Sequence, residues 1–559
     1  MFAASLLALL VTAPALASDQ LCPADGADFS AFYTDPTMIA EALDKAQDFA
    51  PLADAPLGLT VPHHLLADRL VAGGIRLAAG HDYDRIILLT PDHFRRAKTM
   101  FATTTRGFET VRGKVAVDVE AARTLLAATP LAEESCLFAR EHGVHALLPF
   151  VAEYLPGTPV LPVAISIRSS RADWERLVEA LAPLVTERTL ILQSTDFSHY
   201  LPHHGARVRD QQTLNVLASG SLDAIAAFNQ PEHLDSAGAM YVQTALQQRL
   251  RGLSPRVLAN ENGQQYDPRF VAETTSYMVL AFLPPGAPPT PLPAGAKRFF
   301  LAGDTFFGRR MSGALLDEIA AERVEAAVMT ATGGAPIVAN LEGVLLPDVP
   351  SGLPELLLAM PAAQATGWLK RLNVAAVSLA NNHAFDIGPS GYAETVAALD
   401  AAGIGRFGQG ERLDVEGVAL VGLTDLGTNA SQQVMLIDDA LLGRLTVEDA
   451  TTPVLAFVHW GEEYVPEPGR RERELAESMR AKGAAAIVGA HPHRASAGVT
   501  ALGGGDTALV YSLGNFLFDQ TSARGSAALA EITVFDQGTI FVRPVELPNL
   551  YDLALGAKP

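Results

Sequence analysis

Positive charge is scarce in this 559-residue chain: 41 lysines and arginines stand against 62 aspartates and glutamates, a formal net charge of −21. That surplus repels phosphate backbones and anionic lipid, which argues against a nucleic-acid partner. Cysteine is rarer still. Cys22 and Cys136 are the only two, too few for a disulfide scaffold or a multi-cysteine zinc site. Two reduced, buried thiols or one pair formed in an oxidising compartment are both open readings. Charged residues make up 18% and hydrophobic residues 49%, which excludes a disordered chain. Beyond the first residues no apolar run approaches the ~20 residues of a membrane-spanning helix, so no stable insertion is expected. A phosphate-cradling G-x-x-x-x-G-K-[ST] loop and a G-x-S-x-G serine elbow are also missing, which removes P-loop nucleotidases and serine hydrolases.

The chain opens on MFAASLLALLVTAPALA, an uncharged, leucine- and alanine-rich stretch ending in small residues. It predicts a cleaved export leader over 1–17, hence a protein outside the cytoplasm, periplasmic or extracellular. Between Leu283 and Lys297 the sequence LPPGAPPTPLPAGAK cannot continue a helix or central strand. It predicts a semi-rigid linker over 284–297. The organisation expected is a lead-in over 18–50, a domain over 51–283, a second over 298–549 and a tail over 550–559. Both halves alternate β-branched runs with alanine-rich amphipathic stretches, the grammar of βαβ units around buried sheets. The fold class is α/β in two domains, and ligands should gather beyond the carboxyl ends of the strands.

In the second half, strand-like runs stop at chemically loaded residues. RFFLAGD ends at Asp304 and APIVANLE at Asn340 and Glu342. VAAVSLANNHAFD carries Asn381, Asn382, His383 and Asp386. PVLAFVHWGEE ends at His459, AAAIVGAHPH at His491 and His493, and ALVYSLGNF at Asn515. If these ends converge, carboxylates, an amide and imidazoles form a mixed oxygen/nitrogen pocket suited to Mn, Zn or Fe rather than Ca.

The blocks GDTFFGR, ANLEG, LANNHAFDIGPSGYAET, VHWGEEY, VGAHPHRASA and YSLGNFLFD resemble, in order, the CapA (poly-γ-glutamate capsule biosynthesis) branch of the calcineurin-like metallophosphoesterase superfamily. The resemblance implies a four-layer α/β sandwich with one or two divalent metals. Asp304, Glu342 and His493 would hold one metal. Glu342, Asn382, His459 and His491 would hold the other. His383 would be a general acid, with Asp386 orienting it. One departure stands out: where the superfamily has a histidine two residues after the first aspartate, this chain has Phe306, which cannot ligate.

Strand-like runs of the first half are GLTVPHH, DRIILLTPDHF, PVLPVAISI, TLILQSTDFSHY and TSYMVLAFLP. Histidines fall at or beyond three run ends, at His63, His93 and His199. EHGVHALLPFV supplies Glu141, His142 and His145, which helical spacing would place on one face. The blocks VPHH, LLTPDHF, EHGVHALLPF and STDFSHY resemble the Memo family, also called AmmeMemoRadiSam system protein B, which shares the class III extradiol dioxygenase fold. The resemblance implies a metal on His63, His93 and His199, with Asp196 and His142 around it. Three imidazoles without a carboxylate depart from the two-histidine, one-carboxylate iron site of oxygenases.

Two functions follow as expectations. In the first, the pocket performs metal-assisted hydrolysis of a phosphoester-type substrate of the cell envelope. In the second, it is a non-catalytic module that binds or assembles an anionic envelope polymer, fused to a Memo-type metal or redox domain. Oligomeric state is not legible in the sequence.

Overall fold

The computed structural model describes residues 22, 26–49, 51–269, 272–284, 287, 289–290, 292–293, 295–427, 433–446 and 452–556. The expected leader over 1–17 lies outside them. The chain divides into two compact units. One comprises the described residues up to Gln47, with 57–195 and 238–246; the other comprises 48–56, 196–237 and 247–559.

Six described strands of the first unit lie in one sheet: β1 (Gly58–Val61), β2 (Arg85–Pro91), β3 (Phe101–Thr103), β4 (Ala132–Glu134), β5 (Val160–Ile165) and β6 (Thr189–Ser194). Their spatial order is β1-β6-β2-β5-β3-β4. The four at the β1 side run parallel, β5 meets β3 antiparallel, and β3 and β4 are parallel. Ile86–Leu89, Leu161, Val163 and Leu190–Leu192 are fully buried, as unbroken apolar runs in a sheet covered on both faces must be. Helices Asp68–Arg76, Val119–Ala128 and Arg171–Leu181 provide cover, the last opened by a Ser170/Asp173 capping box. Cys22 and Cys136 are joined as a disulfide.

The second unit contains three antiparallel strands, β7 (Phe197–Leu201), β8 (Arg256–Asn262) and β9 (Thr274–Phe282), with β9 central. Residues 196–237 and 247–283 fall in this second unit. The helix α1 (His203–Ser219) belongs to it. Gln211 bonds the backbone of Ile540 twice, donating to its carbonyl and accepting from its amide, both at 2.8 Å. One turn on, Asn215 donates to the Gly505 carbonyl at 2.8 Å.

Two further sheets follow. The first contains β10 (Lys297–Thr305), β11 (Ile337–Leu341), β12 (Val374–Ser378) and β13 (Gly405–Phe407). The second contains β14 (Arg412–Val415), β15 (Val418–Thr424), β16 (Val454–His459), β17 (Ala486–Ala490), β18 (Thr500–Leu502) and β19 (Thr507–Val510). The chain then returns to the first sheet with β20 (Asn515–Leu517), β21 (Ala527–Val534) and β22 (Ile540–Leu547). The orders are β13-β12-β11-β10-β21-β22, with β20 on β10, and β14-β15-β16-β17-β19-β18. Phe299, Leu301 and Val338 from one sheet meet Leu420, Leu455, Phe457 and Val488 from the other in a shared core. On their outer faces Val324, Val328 and Leu369 cover the first sheet, and Leu475 and Met479 the second. Helix, sheet, sheet, helix is the four-layer arrangement expected of this half.

Candidate metal centres

In each C-terminal sheet the parallel strands end on the same side, and their last residues meet. Asp304 on β10 is fully buried. Asn340 on β11 donates to its Oδ1 at 2.9 Å, and the His491 backbone N–H reaches both carboxylate oxygens at 3.1 Å. His493 Nδ1 lies 3.2 Å from Asp304 Oδ2 and 2.8 Å from Asn515 Oδ1. At the end of β16, His459 Nε2 faces Asn382 Oδ1 at 2.8 Å, while its Nδ1 faces the Asn340 amide at 3.1 Å. Both His491 and His493 adopt positive φ, 98° and 55°. Such backbone is rare outside glycine and clusters where geometry is imposed by function.

Two groups of ligand atoms emerge, each mutually within 4.8 Å: Glu342, His459 and His491, and Asp304, Glu342 and His493. Glu342 belongs to both. It is buried, yet its Oε2 has no hydrogen-bond partner, and neither does His491 Nδ1. Orphaned polar atoms at this depth are costly. Two such atoms among clustered carboxylate and imidazole ligand groups fit a resident cation.

The electrostatics carry the same imbalance. Burial, then the Asp304 charge, raises Glu342 to about 7. Burial lowers His491 to about 4. For His493 burial is overcome by the Asp304 hydrogen bond and the Glu342 charge, which hold it up at about 9. His459 is driven well down by burial and the neighbouring imidazoles. A neutral imidazole is the ligating form.

His383 stands at the half-buried rim. Its Nδ1 is 2.8 Å from Asp386 Oδ2, which also accepts the Leu358 amide, and its Nε2 is 3.8 Å from Glu342 Oε1. Burial opposes its protonation, but Asp386 and Glu342 outweigh burial and raise it. Phe306 is fully buried, with its ring 5.5 Å from that of Phe518.

In the first unit His63, His93 and His142 come together, their ligand atoms within 4.8 Å. His93 Nδ1 contacts Glu141 Oε1 at 2.5 Å. His63 Nδ1 contacts Ser194 Oγ at 3.0 Å, and that hydroxyl donates to the Gly143 carbonyl. Each Nδ1 is thus committed as a donor, which turns two Nε2 lone pairs toward each other at 3.0 Å. A shared cation or proton relieves that opposition. Gly143 makes the approach possible, since a Cβ there would lie 2.2 Å from Thr90 Oγ1.

His199 sits on β7 with its ring 5.6 Å from that of Tyr200, outside the His63–His93–His142 group. Asp196 is buried, its amide donating to Asp235 Oδ2 at 3.2 Å. His145 turns from Glu141 and His142 to bond the Phe138 carbonyl at 2.8 Å. A four-residue helix, His142–His145, is too short to hold all three on one face. Ser194 went unread, although as the last residue of β6 it occupies the position where strand ends carry function.

Fold and site together define a two-part α/β protein with carboxylate–imidazole clusters at its strand ends. Residues 49–256 match the family described as Memo-like protein. Residues 298–424 and 441–520 match the family described as bacterial capsule synthesis protein PGA_cap. The chain joins a domain of the Memo family to a capsule-synthesis domain of the CapA type. Among its relatives are the capsule biosynthesis protein CapA of Bacillus anthracis (33% identical, covering 32% of this chain and 49% of that one) and the PGA biosynthesis protein CapA of Bacillus subtilis strain 168 (34%, covering 28% and 47%). A MEMO1 family protein of Caldivirga maquilingensis is 24% identical, covering 40% of this chain and 83% of that one. The chain spans about half the length of the two CapA relatives.

Proposed function

We propose that the C-terminal cluster holds one or two divalent metals, Mn, Zn or Fe, and hydrolyses a phosphoester-type bond in the making of an anionic envelope polymer, in an exported protein. The observation that carries the reading is the orphaned pair, Glu342 Oε2 and His491 Nδ1, buried among ligand-type groups. Glu342, His459, His491 and the Asn382 carbonyl would hold one ion. Asp304, Glu342 and His493 would hold a second, with Phe306 filling the position of a missing fourth ligand. Bound metal of this kind supplies Lewis acidity and a water acidic enough to ionise near neutral pH.

The protein's own part is proton delivery and orientation. Asp386 fixes the His383 ring through Nδ1, leaving Nε2 toward the cavity. Protonated there, it donates to the leaving oxygen. Asn340 and the His491 amide hold Asp304 in place through hydrogen bonds to its carboxylate. Export is supported by the leader-like first 17 residues and by the Cys22–Cys136 disulfide, a bond that persists in oxidising compartments.

Metal analysis beside assays on phosphomonoesters and phosphodiesters tests this. His491→Ala should lose the metal. His383→Ala should keep it while turnover falls about 10²- to 10⁴-fold, the usual worth of a general acid. Phe306 favours a second reading, a polymer-binding module, and stoichiometric metal without turnover of any ester would establish it over hydrolysis.

A further inference from the structure

The ring of His493 lies between two aromatic rings, Phe518 at 4.8 Å and Tyr464 at 6.0 Å. The Arg524 guanidinium lies over Tyr464, 5.3 Å from its centroid. Arg494, the residue after His493, reaches the same place. Its Nη2 donates to the Ala523 carbonyl at 3.1 Å, immediately before Arg524, and its buried Nε has no hydrogen-bond partner. The turn that presents Arg524 is closed by the Arg524 and Gly525 amides on the Thr521 carbonyl, both at 2.9 Å. It is fastened to the metal-cluster segment by Ser526 N–H to the His493 carbonyl at 3.0 Å and Ala495 N–H to Ser526 Oγ at 2.9 Å.

The Arg494 guanidinium is therefore held on the backbone of the turn that carries Arg524, and no carboxylate is paired to either among the described residues. In a chain with 62 acids and 41 bases this is unusual company. Acids in the neighbourhood are engaged elsewhere: Asp519 with Arg309 and Arg310, and Asp552 with the Ser522 amide. Glu463 is exposed and hydrogen-bonded to Tyr464, the ring that Arg524 covers, without an ion pair to Arg524 among the described residues. Adjacent cations repel unless an anion sits with them, and the planar fork of arginine matches carboxylate and phosphate oxygens in pairs.

We propose that Arg494 and Arg524 form a second anion site beside the metal centre, taking a further oxyanion, carboxylate or phosphoryl, of the same ligand whose reacting group meets the cluster. This deepens the metal-centre reading and rests on it. The ligand is then at least twofold anionic, and a substrate bearing a single anionic group uses half the site. Long-range charge works against such a ligand, because the chain carries −21. A preference for the more anionic compound must therefore come from local contacts.

Calorimetric titration of the full-length, Mn-loaded protein decides it with three ligands on one carbon skeleton: glycerol 3-phosphate, 3-phosphoglycerate and 2,3-bisphosphoglycerate. 3-Phosphoglycerate, with two anionic groups, or 2,3-bisphosphoglycerate, with three, should bind about tenfold more tightly than glycerol 3-phosphate; a gain already present with 3-phosphoglycerate marks a carboxylate site, and a gain with the bisphosphate alone a phosphoryl site. In Arg494→Gln/Arg524→Gln the advantage should collapse to less than about twofold, with metal content unchanged. If the double variant does not fold, Arg524→Gln alone, at an exposed position, must still lower the advantage. Equal affinity for all three ligands, or an advantage that survives both substitutions, overturns the proposal. Should the protein retain no metal, the metal-centre reading fails by itself, and the same comparison on metal-free protein still decides the arginine site.

Discussion

His145 shows how burial assigns a histidine its work. Its Nε2 bonds the Phe138 carbonyl, and its ring lies against those of Phe32 and Phe108. Burial lowers its pKa below 6.5, with the carbonyl bond opposing more weakly. The folded protein thus prefers the neutral ring, and between the lowered folded value and the ordinary one the unfolded chain binds more protons. Stability from this group is present in full above pH ~6.5 and is lost as pH falls below it. His145→Gln keeps a donor for Phe138 and cannot titrate. Thermal unfolding at pH 7.5 and 5.5 should show a smaller acid-induced fall in Tm for the variant than for the parent. An equal fall in both would mean the ring is charged, or solvated, in the folded state. Composition alone could not separate His145 from His142: both lie in EHGVHALLPF, and only what each ring faces, the Phe138 carbonyl for His145 and the His63 and His93 rings for His142, decides between core and site.

At the scale of elements, much of the site was legible because parallel strands in a covered sheet read as apolar runs that stop where function begins. RFFLAGD, APIVANLE, VAAVSLANNH, PVLAFVH and AAAIVGAH lie over β10, β11, β12, β16 and β17, with Asp304, Glu342, Asn382, His459 and His491 at or just beyond their ends. What the runs could not show is register and close approach. TLILQSTDFSHY reads as one run, yet it folds as β6 and β7, and the break at Thr195–Asp196 carries His199 onto a different strand. Nor does any pattern reveal that the 521–525 turn presents an arginine beside His493. Gly303 is a third case: a Cβ at this position in β10 would lie 1.9 Å from the Gly514 carbonyl oxygen. Asp304 follows it in sequence, and Asn515 follows Gly514. Gly303→Ala must therefore part β10 from β20, at a cost of about 1–3 kcal/mol, and pull Asp304 away from the His493–Asn515 pair. Both a lower Tm and a weaker hold on metal are expected. A variant that loses stability while binding metal with parental affinity would show that the strand ends adjust independently of their spacing.

For the molecule as a whole, the sparse cysteine has a large mechanical consequence. Cys22 and Cys136 are separated by 114 positions, and their bond closes that span within the first unit. Closing a loop of that length restricts the unfolded chain, worth about 4–5 kcal/mol in the loop-entropy model, although such bonds typically deliver ~2–4. The closed span includes Phe29, which forms a bridge to Phe108 with the two rings 5.3 Å apart, and Phe32, whose ring lies 5.7 Å from that of His145. It also contains β1 and β2, which lead to His63 and His93. Cys136 itself lies five residues before Glu141, the carboxylate that orients His93. The bond therefore ties the start of the described chain to the segment that builds the histidine cluster. Reduction, or Cys22→Ser/Cys136→Ser, should lower the unfolding temperature of the first unit by several degrees. The Asp304–Glu342–histidine cluster, which belongs to the other unit, should keep its metal affinity. Mass spectrometry of intact protein with and without thiol alkylation confirms that the pair is closed before the comparison is made. An unchanged melting curve after complete reduction would show that the aromatic contacts of Phe29 and Phe32 hold the N-terminal segment unaided. Stability would then give no reason for the chain to mature in an oxidising compartment.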